Sequence, residues 1–267
     1  MARGISLYEN QNGFMHKVDA RAKLLWMFSS FALVLLFNNP IFVGSVYVVN
    51  IGLGIFSKIS WRAIRNVLMS NLLLMILTIV LWPGYLQAGP VLFTVFGVVK
   101  VTQTALLYAI AVGFRLVTMV TTSTVFIMTT PIYKLIAAMQ QLNMPSKMCL
   151  TASMMIRFIP VIRDEGMLIV EAQKSRGLDL ESGNMVQKIR KYAPISIPLF
   201  LRSFSIAQKL ALAMDSRAYG ITPRPTPYIT LVMDGKDKLF CLVWTCALIT
   251  GILGRITGFG LVLPNML

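Results

Sequence analysis

Two long runs without a charged residue, Leu24–Ser57 and Asn66–Val99, set the pattern of the first 100 positions. A hydrocarbon core of about 30 Å needs about 20 apolar helical residues, so both runs predict membrane spans. The first run would be about 50 Å long as one helix, and Pro40 after two asparagines divides it. The pattern predicts an outer loop over 84–100 and five spanning helices, at 22–38, 40–57, 66–82, 104–128 and 239–263.

Composition agrees with a membrane protein. Of the 267 residues, 56% are hydrophobic and 13% charged, and the mean hydropathy is +0.71, which excludes an ordinary soluble domain. The net charge of +15 would suggest nucleic acid in a soluble protein. With five spans, however, 22 of the 25 Lys and Arg residues fall on one side of the membrane. The positive-inside rule then predicts a cell-membrane protein with a cytoplasmic N-terminus, an extracellular C-terminus and no nucleic-acid partner.

The fourth and fifth spans are separated by a long segment with helical periodicity. Charges are interleaved with apolar positions there, which makes the segment too charged to span and too apolar to be free in water. We therefore expect an all-α polytopic protein in which amphipathic helices lie at the cytoplasmic interface, over 145–177 and 193–217. The predicted divisions are a membrane part at 1–128, a cytoplasmic domain at 129–237 and a last transmembrane helix at 238–267.

Two of these helices end in the same tripeptide pattern. Ser175-Arg176-Gly177 and Ser216-Arg217-Ala218 lie 41 residues apart. An Arg near a helix C-terminus is favoured by the helix dipole, so simple capping is one interpretation. The other is docking, because small neighbours would let the helix tip enter a groove where the guanidinium meets carboxylate or carbonyl oxygens. The residues alone leave both open.

Catalytic signatures are missing from the sequence. His16 is the single histidine, which excludes a zinc site of the H-E-x-x-H type and a histidine triad, and no P-loop motif occurs. Eight of the 17 methionines fall between Met139 and Met214, where they either fill a core or form an adaptable surface. Arg115 inside the fourth span is costly unless it faces a cavity or a polar partner.

The sequence resembles the transmembrane T component of energy-coupling factor (ECF) transporters, EcfT, over nearly the whole chain. The resemblance rests on four segments in order. They are the stretch His16-Lys17-Val18-Asp19-Ala20-Arg21-Ala22-Lys23-Leu24-Leu25, then Leu142-Asn143-Met144-Pro145, then Arg157-Phe158-Ile159-Pro160, and finally the two Arg tripeptides. The family has Pro where this chain has Ala20 and Leu where it has Val18, and Ser replaces the usual first Ala of both tripeptides.

That resemblance implies an energy-coupling scaffold. Family members assemble with two ABC-type ATPases and a membrane-embedded, substrate-binding S component. Arg176 and Arg217 would each enter a groove of one ATPase. Coupling helices at about 131–142, 145–177 and 193–217 would cradle the S component. ATP-driven closure would then release a vitamin or a transition-metal ion inside. The implied ATPase-docking residues are Ser175, Arg176, Gly177, Ser216, Arg217 and Ala218, and those facing the S component are Met144, Met148, Met155 and Ile159.

The resemblance also implies that this chain has no catalytic residue, metal site or cofactor, since ATP and magnesium would bind the partner ATPases. Two other classes stay open. A self-contained carrier or channel would use Arg115 as a charge in the substrate pathway, although no inverted repeat with broken helices is visible. A membrane enzyme acting on lipid would need a nucleophile or a ligand cluster at the interface, and the sequence offers only isolated candidates.

Overall fold

The computed structural model describes residues 13–57, 61–85, 90–95, 99–179, 184–221 and 231–257. Within these ranges the chain is almost entirely helical, as expected for an all-α membrane protein. The helices are α1 (Phe14–Lys17), α2 (Ala20–Leu36), α3 (Pro40–Phe56), α4 (Trp61–Tyr85), α5 (Gln103–Thr129), α6 (Ile132–Gln141), α7 (Ser146–Ser175), α8 (Met185–Asp215) and α9 (Gly235–Ile256). A short antiparallel hairpin is formed by β1 (Val91–Val95) and β2 (Val99–Thr102).

The chain divides into two compact units. The first, which we call the membrane unit, consists of Ile5–Ala138 and Leu231–Leu267 and contains α1 to α5, the hairpin and α9. The second, the helical-pair unit, is built on α7 and α8, and its described residues lie within Met139–Thr230. Among the described residues, the chain passes from the membrane unit to the helical-pair unit after Ala138 and returns at Leu231.

In the membrane unit, α9 runs parallel to α2 with a repeat of seven residues. The backbone N–H of Asp19 donates to Asp237 Oδ1 at 3.2 Å, and the rings of Trp26 and Trp244 meet edge to face at 6.4 Å. One repeat further on, Leu33 packs against Gly251. A seven-residue spacing keeps the same helix face turned to its partner, so the two helices cross the unit side by side in one direction.

The remaining long helices alternate in direction. Ser30 of α2 lies 3.5 Å from Asn50 of α3, and the Phe37 and Phe42 rings meet at the turn between them, so these helices are antiparallel. The pair α4 and α5 is also antiparallel, because Asn71 Nδ2 donates to Thr121 Oγ1 at 2.7 Å while Trp82 lies against Tyr108. Contacts of Gly44 with Phe114 and of Gly54 with Val125 make α3 parallel to α5. These are the directions that five successive crossings require.

The break predicted in the first apolar run is present. Helix α2 ends at Leu36 and α3 begins at Pro40, whose missing N–H is harmless at the first helical position. Asn39 caps α3 by accepting from the backbone N–H of Ile41 at 3.0 Å. The outer loop expected over 84–100 is wrong in part, because alternating Val and Phe residues pair there as β1 and β2. Residues 258–263 of the last predicted span lie outside the described residues.

By length and composition, four of the described helices could cross a membrane, namely α4, α5, α8 and α9, with α3 as a shorter apolar helix. Helix α8 was expected at the interface instead. A crossing by α8 alone conflicts with the membrane unit, where Thr129 at the end of α5 and Asp237 at the start of α9 both contact the first turn of α2. The chain between α5 and α9 therefore starts and finishes on the same side and must cross the membrane an even number of times. Because α7 is not among the described helices that could cross, α8 has no partner for a second crossing, which agrees with the expected interfacial position.

Helix α8 also begins earlier than the predicted 193, at Met185. It continues through Pro194 and Pro198, although each proline removes one intrahelical donor. The carbonyl of Pro194 is instead engaged from outside the helix, by Gln173 Nε2 of α7 at 3.3 Å.

Candidate functional site: two arginine-tipped helix ends

The predicted docking tripeptides form the ends of α7 and α8, and the two ends have the same backbone geometry. At the end of α7, the N–H of Gly177 donates to the carbonyl of Lys174 at 2.9 Å, and the N–H of Leu178 donates to that of Gln173 at 3.0 Å. Gly177 has a φ of +88°, so the chain reverses in the left-handed region. This double bond pattern is a Schellman cap, with Arg176 at the C-cap position.

The end of α8 repeats the motif residue for residue. The N–H of Ala218 donates to the carbonyl of Asp215 at 2.9 Å, and that of Tyr219 donates to Met214 at 3.1 Å. Ala218 has a φ of +57°, which is uncommon for a residue with a Cβ. The sequence repeat therefore corresponds to a repeated structure, in which an arginine immediately precedes a left-handed residue at a helix tip.

Both arginines are available for a partner. The six predicted docking residues, at 175–177 and 216–218, are all exposed. Within the described part of the chain, the guanidinium groups of Arg176 and Arg217 form no hydrogen bond and no ion pair. Capping alone would bring each guanidinium back to the last carbonyls of its own helix, and this does not occur. Each guanidinium is therefore free to contact a partner, and docking stays a prediction.

The two tips point away from each other, because α7 and α8 form an antiparallel pair. Arg202 Nη2 donates to Glu165 Oε1 at 3.0 Å, and Gly166 packs beside Leu199. Measured from that crossing, Arg176 and Arg217 lie in opposite directions along the pair. At about 1.5 Å per residue the tips are roughly 30–40 Å apart, about the diameter of a small domain. A single groove cannot receive both arginines.

The helical-pair unit carries little core of its own. Among its described residues only Cys149 and Ile195 are buried hydrophobic side chains. Large apolar side chains are exposed along both helices instead: Met148, Met155, Ile159, Met167 and Leu168 on α7, and Ile189, Phe200, Leu201, Phe204 and Leu212 on α8. Two amphipathic helices with so much exposed apolar surface need lipid or another protein to cover them.

The residues predicted to face an S component belong to this exposed surface. Met148, Met155 and Ile159 are spaced seven and four residues apart, so they share one face of α7, and they are 57%, 62% and 46% exposed. Met144 lies before α7, where it is half-buried and its N–H donates to the carbonyl of Met139. Three of the four thus form one continuous apolar stripe.

Arg115, the candidate pathway charge, has polar partners within the membrane unit. Its Nε donates to the carbonyl of Val34 at 3.1 Å, and its Nη2 donates to the carbonyl of Phe37 at 3.2 Å and to Asn38 Oδ1 at 2.6 Å. These groups form the C-terminal end of α2, where carbonyls lack intrahelical donors. Arg115 therefore caps a neighbouring helix.

Sequence reasoning assigned no role to three charged residues at the start of α2. Asp19, Arg21 and Lys23 hold the ends of other segments of the membrane unit through the contacts described below. The available signal was their spacing: every second position is charged, immediately before a long apolar run. Nothing in that spacing names the partners, which lie more than 100 residues away.

Comparison with known proteins agrees with this architecture. The cobalt transport protein family, CbiQ, matches residues 11–228. Three similar proteins all have the name energy-coupling factor transporter transmembrane protein EcfT. The protein from Streptococcus equi subsp. equi is 32% identical over 236 residues, which cover 85% of this chain and 87% of that protein.

The other two relatives extend the match. The Clostridium kluyveri protein is 32% identical over 265 residues, covering 94% of this chain and 96% of its own. The Bacillus subtilis protein is 29% identical over 241 residues, covering 87% and 91%. The similarity therefore includes both units and both arginine-tipped helices.

Proposed function

This chain belongs to the cobalt transport protein family, and from that premise we propose that it is the energy-coupling transmembrane component of an ECF importer. It links two ABC-type ATPases, which bind ATP and magnesium, to a membrane-embedded S component. The imported substrate is a vitamin or a transition-metal ion bound by the S component. The chain itself catalyses no reaction.

One observation carries the proposal: two equivalent arginine tips stand at opposite ends of a helix pair. Each tip presents an unpaired guanidinium at the same kind of helix end. Equivalent tips suit equivalent receptors, and a separation of roughly 30–40 Å requires two receptors rather than one. A pair of ATPase subunits with one groove each meets both conditions. Closure of that pair upon ATP binding would draw the tips together and move α7 against α8.

The bare apolar stripe supports the S component as the third partner. A very hydrophobic membrane protein could cover Met148, Met155 and Ile159, and the flexible thioether side chains suit a surface that accepts different partners. The helical-pair unit then obtains from its partners the burial that it lacks alone.

The direction of the helices supports the orientation. Because α2 and α9 are parallel, their N-terminal ends share one side with the end of α5. The segments that begin or end on that side contain most of the basic residues of the sequence, so we assign that side to the cytoplasm, with the C-terminus of α9 outside.

Affinity capture of the tagged chain from its native membrane, in mild detergent with mass spectrometry, tests the proposal. We expect two ABC-type ATPases and one or more small hydrophobic proteins. A chain that is captured alone, and that carries out solute flux in proteoliposomes without ATPases, would instead be the self-contained carrier. The capped position of Arg115 speaks against that alternative, because its guanidinium is already engaged by three oxygen atoms.

A further inference from the structure

The first turn of α2 holds the start of the outgoing connection, at the end of α5, and the end of the returning connection, at Leu231. We name Asp19, Arg21 and Lys23 the α2 anchor. The chain passes from the membrane unit to the helical-pair unit after α5, through α6, and it returns to the membrane unit at Leu231. All contacts of the α2 anchor described below lie within the membrane unit.

Lys23 holds the outgoing connection. It is 1% exposed, and its Nζ donates to the carbonyl of Thr129 at 2.9 Å and approaches Thr130 Oγ1 at 3.4 Å. Thr129 is the last residue of α5, and Pro131 directly after the break provides no backbone donor. The buried Nζ donor therefore lies at the negative end of the α5 dipole and fixes the end of α5, ahead of α6, in which the membrane unit ends at Ala138.

Arg21 and Asp19 hold the returning connection. Arg21 Nη2 donates to the carbonyl of Leu231 at 3.0 Å and to Asp19 Oδ2 at 3.2 Å. The Asp237 carboxylate accepts from the backbone N–H of Asp19 at 3.2 Å and from that of Asp234 at 3.1 Å, which completes the capping box of α9. The returning segment at Leu231 and the start of α9 are thus fixed to the first turn of α2.

We infer that the α2 anchor consists of positioning residues for energy coupling. Because the end of α5, which leads into α6, and the returning segment at Leu231 are both fixed to one turn of α2, movement of the helical-pair unit reaches the membrane helices instead of being absorbed by loose connections. A single cap would satisfy the end of α5 alone; the α2 anchor holds two segments that are 102 positions apart in the chain. This inference rests on the proposed function for the source of the movement.

The first test uses the full-length chain alone. Its three cysteines are replaced, and spin labels are attached at two exposed positions, Met69→Cys on α4 and Ala172→Cys on α7. Pulsed electron–electron double resonance then gives the distribution of distances between the two spin labels, one in each unit. We expect Lys23→Met and Arg21→Gln to broaden this distribution and Lys23→Arg to recover its width. Distributions as narrow as that of the otherwise unchanged chain would overturn the inference, and this test needs no partner.

The second test uses the assembled complex with ATP and magnesium. In the complex with an unchanged α2 anchor, we expect nucleotide to shift the distance between the two spin labels. In the Lys23→Met complex, ATP hydrolysis should continue while this shift is lost. Arg115→Met is the matched control. Lys23 of α2 caps the end of α5, and Arg115 of α5 caps the end of α2, but within the described residues Arg115 contacts neither segment that leads to the helical-pair unit. The Arg115→Met complex should retain the shift. An unaltered shift in Lys23→Met and Arg21→Gln would refute the inference, whereas failure of ATPases to bind even the original chain would refute the proposed function.

Discussion

At the scale of single residues, Arg115 determines whether the end of α2 is stable within the membrane. Replacing it by Met leaves the carbonyls of two buried residues, Val34 and Phe37, without their side-chain donor. Each unsatisfied group costs about 1–3 kcal/mol, so we expect Arg115→Met to lower the Tm of the purified protein clearly. Arg115→Lys should recover part of the loss, because one ammonium cannot reproduce the guanidinium fork. An unchanged Tm in Arg115→Met would contradict the capping role.

A second prediction at this scale concerns the residue after each arginine. Left-handed backbone costs an L-residue about 1–2 kcal/mol, a cost that Ala218 bears and Gly177 avoids. Ala218→Gly should therefore slow amide hydrogen exchange in the last turn of α8, and Gly177→Ala should speed it at the end of α7. Both variants should still capture ATPases, since neither Arg changes. Equal exchange in all three proteins would mean that the tips do not keep this geometry in solution.

At the scale of elements, the packing of α9 on α2 depends on one glycine. A Cβ placed on Gly251 would lie 2.5 Å from Leu33 Cδ2, so a side chain at this position has to displace Leu33. Close contact through small residues stabilises helix pairs in membranes, and overpacking costs about 1–3 kcal/mol. We expect Gly251→Leu to lower the Tm and Gly52→Leu, whose site is open, to leave it nearly unchanged. Equal Tm values for the two variants would refute the close contact.

The elements also show what the sequence can predict. Charge-free runs identify the apolar helices, and Pro40 identifies a break, because both effects are local. The parallel pairing of α2 with α9 is not predictable in this way, since its contacts join positions 218 residues apart. The start of α8 was missed because α8 continues through Pro194 and Pro198. The carbonyl of Pro194, which lacks an intrahelical donor, accepts from Gln173 of α7 instead. Partners of Arg115 are likewise set by the tertiary fold.

At the scale of the whole molecule, the sequence predicted the form of the two helix ends but not their relative directions. The matching tripeptides predicted two similar helix ends, and the structure has them as a repeated Schellman cap. Their opposite directions follow only from the antiparallel pairing of α7 and α8. Whether the tips bind ATPases is a property of the assembly, so it stays a prediction for experiment.

That experiment compares two double variants of the tagged chain. Each tip should contribute about 1.5–3 kcal/mol if its guanidinium is desolvated in a groove, which is roughly a ten- to hundredfold change in affinity. Arg176→Ala or Arg217→Ala alone should weaken capture of one ATPase, and the double variant should lose both. The control, Arg157→Ala with Lys209→Ala, removes the same charge from exposed positions elsewhere on α7 and α8. If both double variants retained ATPases equally, the docking role would be wrong; if both lost them, general charge would explain the binding instead of the tips.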